Sequence, residues 1–228
     1  MMVMGIFIGL INYGNQIGKK ALYVYFAGCN RKCLYCNITN KFYKVTNFRN
    51  YKFPRFSVDE LLYIIDEYGI NNVVLTGGEP CIQKDIIPLV KKLNKKGYYT
   101  IIETNAKRFY DVLELPSEVI INLKTYSAGV PYSIKEVVDD IIFTCDNVSL
   151  TCLINDVKDF DSLVKYKDYD VWCFLEFNEI DFSEYVYHFL TNDNWRMIIR
   201  YDKIFKVDFE NSYRRAKNAN KIRKCDTE

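Results

Sequence analysis

Ala21-Leu22-Tyr23-Val24-Tyr25-Phe26-Ala27-Gly28-Cys29-Asn30-Arg31-Lys32-Cys33-Leu34-Tyr35-Cys36 is the stretch on which the fold turns. Residues 21–26 are an apolar, aromatic-rich run of the kind that forms a strand buried on both faces. The strand ends at Gly28 and delivers Cys29, Cys33 and Cys36 on a loop at its C-terminal end, with C-x3-C-x2-C spacing. Thiolates so close together can converge on one metal centre, and a cubane iron–sulfur cluster takes about four of them. The local set is one short. Either a distant residue supplies the fourth ligand, or one iron stays open to bind another molecule, as catalytic metal sites keep an open position.

Outward from this stretch the chain alternates between strand and helix patterns. Upstream, Val3–Leu10 reads as a strand and Asn12-Tyr13-Gly14-Asn15 as a turn. Downstream, Ser57-Val58-Asp59-Glu60 spells a capping box. The helix after it puts Leu61, Leu62, Ile64, Ile65 and Tyr68 on one apolar face and stops at Gly69. Residues 72–76 form the next strand, running into Gly77-Gly78-Glu79-Pro80. Asp85 is positioned to cap a second helix with Ile86, Leu89, Val90 and Leu93 inward, Pro88 in its first turn and Gly97 as terminator. Further strands are expected at 99–103, 119–123, 148–154, 171–177 and 195–201, with helices at 134–142, 160–166 and 182–190. Residues 40–56 show no period and read as an irregular connection. Strands that barely alternate, separated by helices, predict an α/β protein with a parallel sheet. Ligands of such folds bind at the C-terminal ends of the strands, where the cysteine loop and the Gly-Gly-Glu turn both fall.

The C-x3-C-x2-C spacing with Tyr35 before its third cysteine resembles the signature of the radical S-adenosylmethionine (SAM) enzymes, in which the unique iron of a [4Fe-4S] cluster chelates SAM. Val73-Val74-Leu75-Thr76-Gly77-Gly78-Glu79-Pro80 resembles that family's second motif, which holds the methionine end of SAM. The resemblance implies an open, partial (β/α)6 barrel, a cluster on Cys29, Cys33 and Cys36, and an adenine close to Tyr35. It also implies reductive cleavage of SAM to a 5′-deoxyadenosyl radical that abstracts hydrogen from a substrate. Gly77 and Gly78 lack a Cβ and let backbone approach a ligand, and Glu79 can accept from an ammonium group. Glu103-Thr104-Asn105-Ala106 resembles a Glu-Thr-Asn-Gly stretch in part of the family and points toward SAM or substrate, with Ala106 in place of the glycine. Asn122 and Lys124 close the next strand; Lys124 resembles a lysine of the same subgroup, or snorkels at the rim. Glu176 is a further candidate.

Within the family the likeness is to 7-carboxy-7-deazaguanine synthase, the queuosine and archaeosine pathway enzyme that contracts a carboxy-tetrahydropterin ring, and it covers most of the first 125 residues. Residues 18–30, 75–83 and 103–105 carry it. The departures fall where that enzyme handles substrate. Ile11-Asn12-Tyr13-Gly14 stands for its Gln-Gly-Glu-Gly, Tyr25 for an arginine, and Ile199-Arg200-Tyr201-Asp202 for a stretch ending in histidine. Its Asp-Thr pair, whose threonine helps hold magnesium, is Asn37-Ile38, which leaves Thr39 as the candidate Mg2+ ligand. The expectation is a lyase-type radical SAM enzyme with an intact SAM half, either synthase-like, forming a deazapurine from a carboxy-tetrahydropterin, or a close relative with a changed substrate. Two other classes stay open: a glycyl-radical-enzyme activating protein, and a non-enzymatic zinc or iron–sulfur module. Zinc would want a fourth ligand, and the sole histidine, His188, lies far downstream.

Composition sets the outer bounds. A chain of 228 residues, 49% hydrophobic and 26% charged, suits one domain, expected over 1–210 with a basic tail at 211–228. A formal charge of +2 argues against a nucleic-acid-binding protein, and the tail reads as a solvated terminus. No apolar run approaches the ~20 residues of a membrane span, and Met1 to Leu10 lacks a charged start and a cleavage site, so a cytoplasmic protein is expected. The 8 cysteines do not form a secreted disulfide framework. Cys81, Cys145, Cys152 and Cys173 read as small packed hydrophobes, and Cys225 as an unpaired thiol in the tail. The expected partners are a small-molecule substrate and an electron donor such as flavodoxin or ferredoxin, with a homodimer as one assembly the chain allows.

Overall fold

The order of elements follows the expected alternation. In the computed structural model, which describes residues 1–36, 53–175 and 182–198, the strands are β1 (Val3–Leu10), β2 (Lys20–Phe26), β3 (Asn72–Gly77), β4 (Tyr99–Thr104), β5 (Glu118–Leu123), β6 (Val148–Ile154), β7 (Val171–Leu175) and β8 (Trp195–Ile198). The described helices are α1 (Val58–Tyr68), α2 (Ile86–Lys95), α3 (Lys135–Thr144), α4 (Lys158–Leu163) and α5 (Phe182–Leu190). The strands form one sheet in sequence order, β1 through β8. From β2 onward all neighbours are parallel, while β1 pairs antiparallel with β2. Residues 11–19 are too few for a crossover, so the first two strands can only form a hairpin. Met1–Ile198 form one compact unit; the expected boundary at 210/211, the 40–52 part of the irregular connection, Thr39, Glu176 and Cys225 lie outside the described residues.

Local signals account for the helices. Ser57 accepts from the Glu60 amide while Glu60 reaches back to the Ser57 amide, and Gly69 closes α1 at φ 59°. Leu61, Leu62 and Ile65 are buried, each contributing about 1.5–3 kcal/mol. In α2 the inward residues Ile86, Leu89, Val90 and Leu93 are buried as expected, but Asp85 makes no cap bond. Its φ of −108° and ψ of 23° lie outside the extended region that aims a capping side chain at the first amides.

The sheet has two unlike faces. The outer face carries the main core, with Leu22, Val24, Phe26, Val73, Leu75 and Ile121 under the helices. The inner face holds a small cluster of Ile11, Ala21, Val74, Ile101 and Ile120, bordered by Tyr13, Tyr23 and Tyr99. Its N-terminal end is closed by the β1–β2 connection: buried Glu118 accepts from the Asn15 amide at 2.9 Å and from Ser149 at 3.1 Å. Gly14, at φ +77°, has to be glycine there, because a Cβ would lie 2.2 Å from Glu118 Oε1. Cys152 and Cys173 are fully buried and Cys81 nearly so, whereas Cys145 is half-buried and donates to the Leu113 carbonyl. No described helix is long and apolar enough to cross a membrane.

Candidate functional site

β2 and β3 are parallel neighbours with Phe26 opposite Gly77, so the cysteine loop and the Gly-Gly-Glu turn leave the sheet side by side. Gly78 donates to the Phe26 carbonyl and Glu79 to the Gly28 carbonyl, both at 2.9 Å. A Cβ on Gly78 would fall 1.9 Å from the Gly28 oxygen, and one on Gly77, at φ +113°, would fall 2.5 Å from Phe26 backbone. The two glycines are thus required by the packing of one loop on the other, a reason the sequence alone did not disclose.

Glu79 is fully buried. Its Oε1 accepts from the Cys81 amide at 3.1 Å and Thr104 Oγ1 at 3.0 Å, and its Oε2 from the Asn105 amide at 2.8 Å. Burial pushes the carboxyl above its usual range against the pull of these bonds. Among the described residues no cation pairs with it. A carboxylate served only by neutral donors fits a cationic ligand group such as an ammonium. Asn105 joins this site to the cysteines: its Nδ2 donates to Asn30 at 2.9 Å and lies 3.7 Å from Cys29 Sγ, while its Oδ1 accepts from Arg31 Nε at 3.1 Å.

Cys29 is exposed, and Cys33 and Cys36 are half-exposed. Partial burial raises the Cys29 and Cys33 thiols, opposed at Cys29 by the Arg31 amide and at Cys33 by the Lys124 charge. No three His, Cys, Asp or Glu side chains among the described residues already stand in a metal-holding arrangement. The donor set itself, three thiols on one short loop with N–H donors facing Cys29 sulfur, suits iron–sulfur ligation, in which hydrogen bonds to sulfur tune the cluster. The His188 ring is stacked on Phe160 at 4.3 Å.

Lys124 does not snorkel. It is 9% exposed, with Nζ 5.8 Å from the centre of the Tyr35 ring, and burial lowers its pKa. The Tyr35 hydroxyl is buried and has no hydrogen-bond partner among the described residues. Glu103 faces the sheet interior and accepts from Tyr13 and Thr76, and burial raises its carboxyl as well. The Tyr13 ring meets Phe174 edge-on at 5.1 Å. Sequence reasoning assigned no site role to Thr76, Asn30 or Arg31, and flagged Tyr13 only as a departure from the synthase pattern.

Known proteins place this geometry. The chain is 35% identical over 100 residues to a 7-carboxy-7-deazaguanine synthase of Clostridium acetobutylicum, an overlap covering 43% of each protein. It is 36% identical over 124 residues to a Methanocaldococcus jannaschii protein named as a glycyl-radical enzyme activating enzyme, covering 51% of this chain and 44% of that one. These matches therefore span less than half the length of either relative. The fold is similar to crystal structures of Escherichia coli QueE (TM-score 0.65, 19% identity, 87% of this chain and 93% of that one) and of Streptococcus suis SuiB bound to S-adenosylmethionine (TM-score 0.52, 15% identity, 79% and 46%). Residues 23–144, over half the chain, match the family model of the radical SAM superfamily, and the protein belongs to that superfamily.

Proposed function

We propose that this chain is a radical SAM enzyme of the 7-carboxy-7-deazaguanine synthase type, acting on a small molecule related to, but different from, the carboxy-tetrahydropterin. The observation that carries the reading is the bonded path Glu79–Asn105–Cys29, which joins a buried, cation-free carboxylate to the cysteine loop. In this reading Cys29, Cys33 and Cys36 hold a [4Fe-4S] cluster through their thiolates. A cluster held there would supply the electron for reductive cleavage of SAM and so the means of hydrogen abstraction from substrate. The Glu79 carboxylate balances the SAM amino group, with Gly77 and Gly78 shaping the turn. Tyr35 and Thr104 line the same end of the sheet. Lys124 and Glu103 offer a donor and an acceptor to whatever enters the interior, and the closed floor at Glu118 keeps water from below. Thr39 is taken as the ligand for any Mg2+.

A second reading, activation of a glycyl-radical enzyme, is favoured by the 36% identical relative so named. Anaerobic reconstitution tests the common part. About four irons and four sulfides per chain are expected, with 5′-deoxyadenosine formed from SAM under dithionite. Iron content unchanged by joint Cys29→Ala, Cys33→Ala and Cys36→Ala replacement would overturn it. Mass spectrometry of products from the carboxy-tetrahydropterin and from a glycine-containing protein substrate separates the two readings.

A further inference from the structure

Asn105 is 6% exposed, and both polar atoms of its side chain have partners. Its Oδ1 accepts from Arg31 Nε and from the Lys107 amide, each at 3.1 Å. Two donors on that atom decide which end of the side-chain amide is oxygen, so the NH2 group faces the opposite way. Nδ2 donates to Asn30 Oδ1 at 2.9 Å and has its second proton for Cys29 Sγ at 3.7 Å. The backbone holds the residue in this pose. Its amide donates to Glu79 at 2.8 Å, and the next residue, Ala106, is fully buried at φ 43°. A residue with a Cβ keeps that left-handed conformation only where its surroundings impose it. The Cys29 sulfur thus meets two N–H groups, the Arg31 amide at 3.4 Å and the Asn105 side chain. The first is backbone and survives any replacement, whereas one substitution removes the second.

We infer that Asn105 is a positioning residue that raises the reduction potential of the cluster through its N–H bond to the Cys29 sulfur. The inference rests on the cluster reading above. Reduction adds one negative charge, part of which falls on the thiolate sulfurs. An N–H aimed at such a sulfur stabilises the reduced form, which is why hydrogen bonds to sulfur are among the levers on the potential of these clusters. A hydrogen bond to a charged group changes an equilibrium constant by about tenfold or more. Asn105 also ties Asn30, Arg31 and Lys107 together. A residue that only tied these loops together would, on replacement, lose iron or stability and leave the potential where it was.

The test compares the reconstituted full-length wild type with three variants. Asn105→Leu and Asn105→Ala remove the donor without adding charge. Tyr110→Phe removes the hydroxyl that accepts from Asn30 Nδ2 at 2.6 Å, and so loosens the same network without touching a donor to sulfur. The midpoint potential is read by EPR-monitored titration in the absence of SAM and substrate, alongside iron content. Both Asn105 variants are expected to be harder to reduce by about tenfold in the one-electron equilibrium constant, a potential about 59 mV more negative. Tyr110→Phe should match wild type. Two neutral replacements of different size are used so that if one fails to fold or to hold iron, the other carries the comparison. A wild-type potential in the Asn105 variants would overturn the inference and leave the cluster reading standing. So would loss of the iron from both, the result for a residue that only ties loops, or an equal shift in Tyr110→Phe, which would make loosening the cause. A wild type that takes up no iron would overturn the cluster reading itself, and this inference with it.

Discussion

Tyr13 donates its hydroxyl to Glu103, so a side chain from the β1–β2 connection holds a carboxylate near the C-terminal end of β4. Its ring rests on Phe174 of β7, so the tyrosine links strands three places apart in the sheet. Tyr13→Phe should cost about 0.5–1.5 kcal/mol, because a half-buried carboxylate loses one of its two donors. Denaturant unfolding at pH 7 of Tyr13→Phe, Glu103→Gln and the double variant checks this. Simple additivity of the two losses would show that hydroxyl and carboxylate do not act as a pair.

Burial raises the carboxyls of both Glu79 and Glu103. A carboxyl whose pKa is raised on folding holds its proton more tightly in the folded chain. Its contribution is therefore fully present below the unfolded value of about 4.3 and is lost as pH rises through the folded value. Through these two groups the cluster-free chain should accordingly lose stability as pH climbs above the unfolded value of about 4.3. Glu103→Gln should flatten that slope, and an unchanged slope in this variant would exclude Glu103 as a source.

Gly78→Ala should damage the cysteine loop before it damages the sheet. Its Cβ would meet the Gly28 carbonyl oxygen at 1.9 Å, and that atom is backbone with no rotamer to yield. Overpacking of this kind typically costs about 1–3 kcal/mol. The expected result is a folded chain by circular dichroism that retains less iron after reconstitution. Full iron retention would mean the two loops can separate without loss.

Glu79 clasps the Cys81 and Asn105 amides and, in the proposed function, holds SAM as well, and two substitutions separate the roles. Glu79→Ala strands the Cys81 and Asn105 amides and should lower stability by about 1–3 kcal/mol. Glu79→Gln keeps an acceptor but removes the charge, and a lost charge-assisted bond of about 1.5–3 kcal/mol weakens SAM binding roughly 10- to 100-fold. Calorimetric SAM titration of the Gln variant is the deciding measurement. Wild-type affinity there would leave Glu79 as a clasp alone.

What could be read ahead of the structure were features encoded by near neighbours in sequence. The Ser57–Glu60 box, the Gly69 stop and the strand preceding the cysteines each follow from a few adjacent residues. Asp85 misled because a capping residue type says nothing about its own backbone angles. For Lys124 the sequence left a ligand-facing lysine and a snorkelling one open, and its burial beside the Tyr35 ring removes the second. The Asn105 hub and the Tyr13–Glu103 bond join residues 75 and 90 positions apart. Polar contacts at that separation leave no periodic trace.

The same long-range contacts bear on substrate. Where the deazaguanine synthase pattern has polar side chains, Ile11 is 2% exposed within the inner apolar cluster and Tyr13 already spends its hydroxyl on Glu103. Tyr25 packs edge-on against Phe7 at 5.5 Å. Asp202 lies outside the described residues. A carboxylate-bearing pterin entering this interior would meet the Glu103 carboxylate, with Lys124 as the buried lysine available to balance it. Sites built on hydrogen bonds reject a ligand that leaves them unpaired by up to ~10⁴–10⁵, so the missing contacts are decisive unless replaced elsewhere. Given SAM, magnesium, a reductant and the carboxy-tetrahydropterin, the enzyme should form 5′-deoxyadenosine with little or no deazaguanine. Lys124→Met should then leave that uncoupled cleavage largely unchanged if the lysine serves substrate, and abolish it if the lysine serves SAM. Tightly coupled deazaguanine formation by the wild type would instead overturn the changed substrate, and the substrate would be that of the synthases after all.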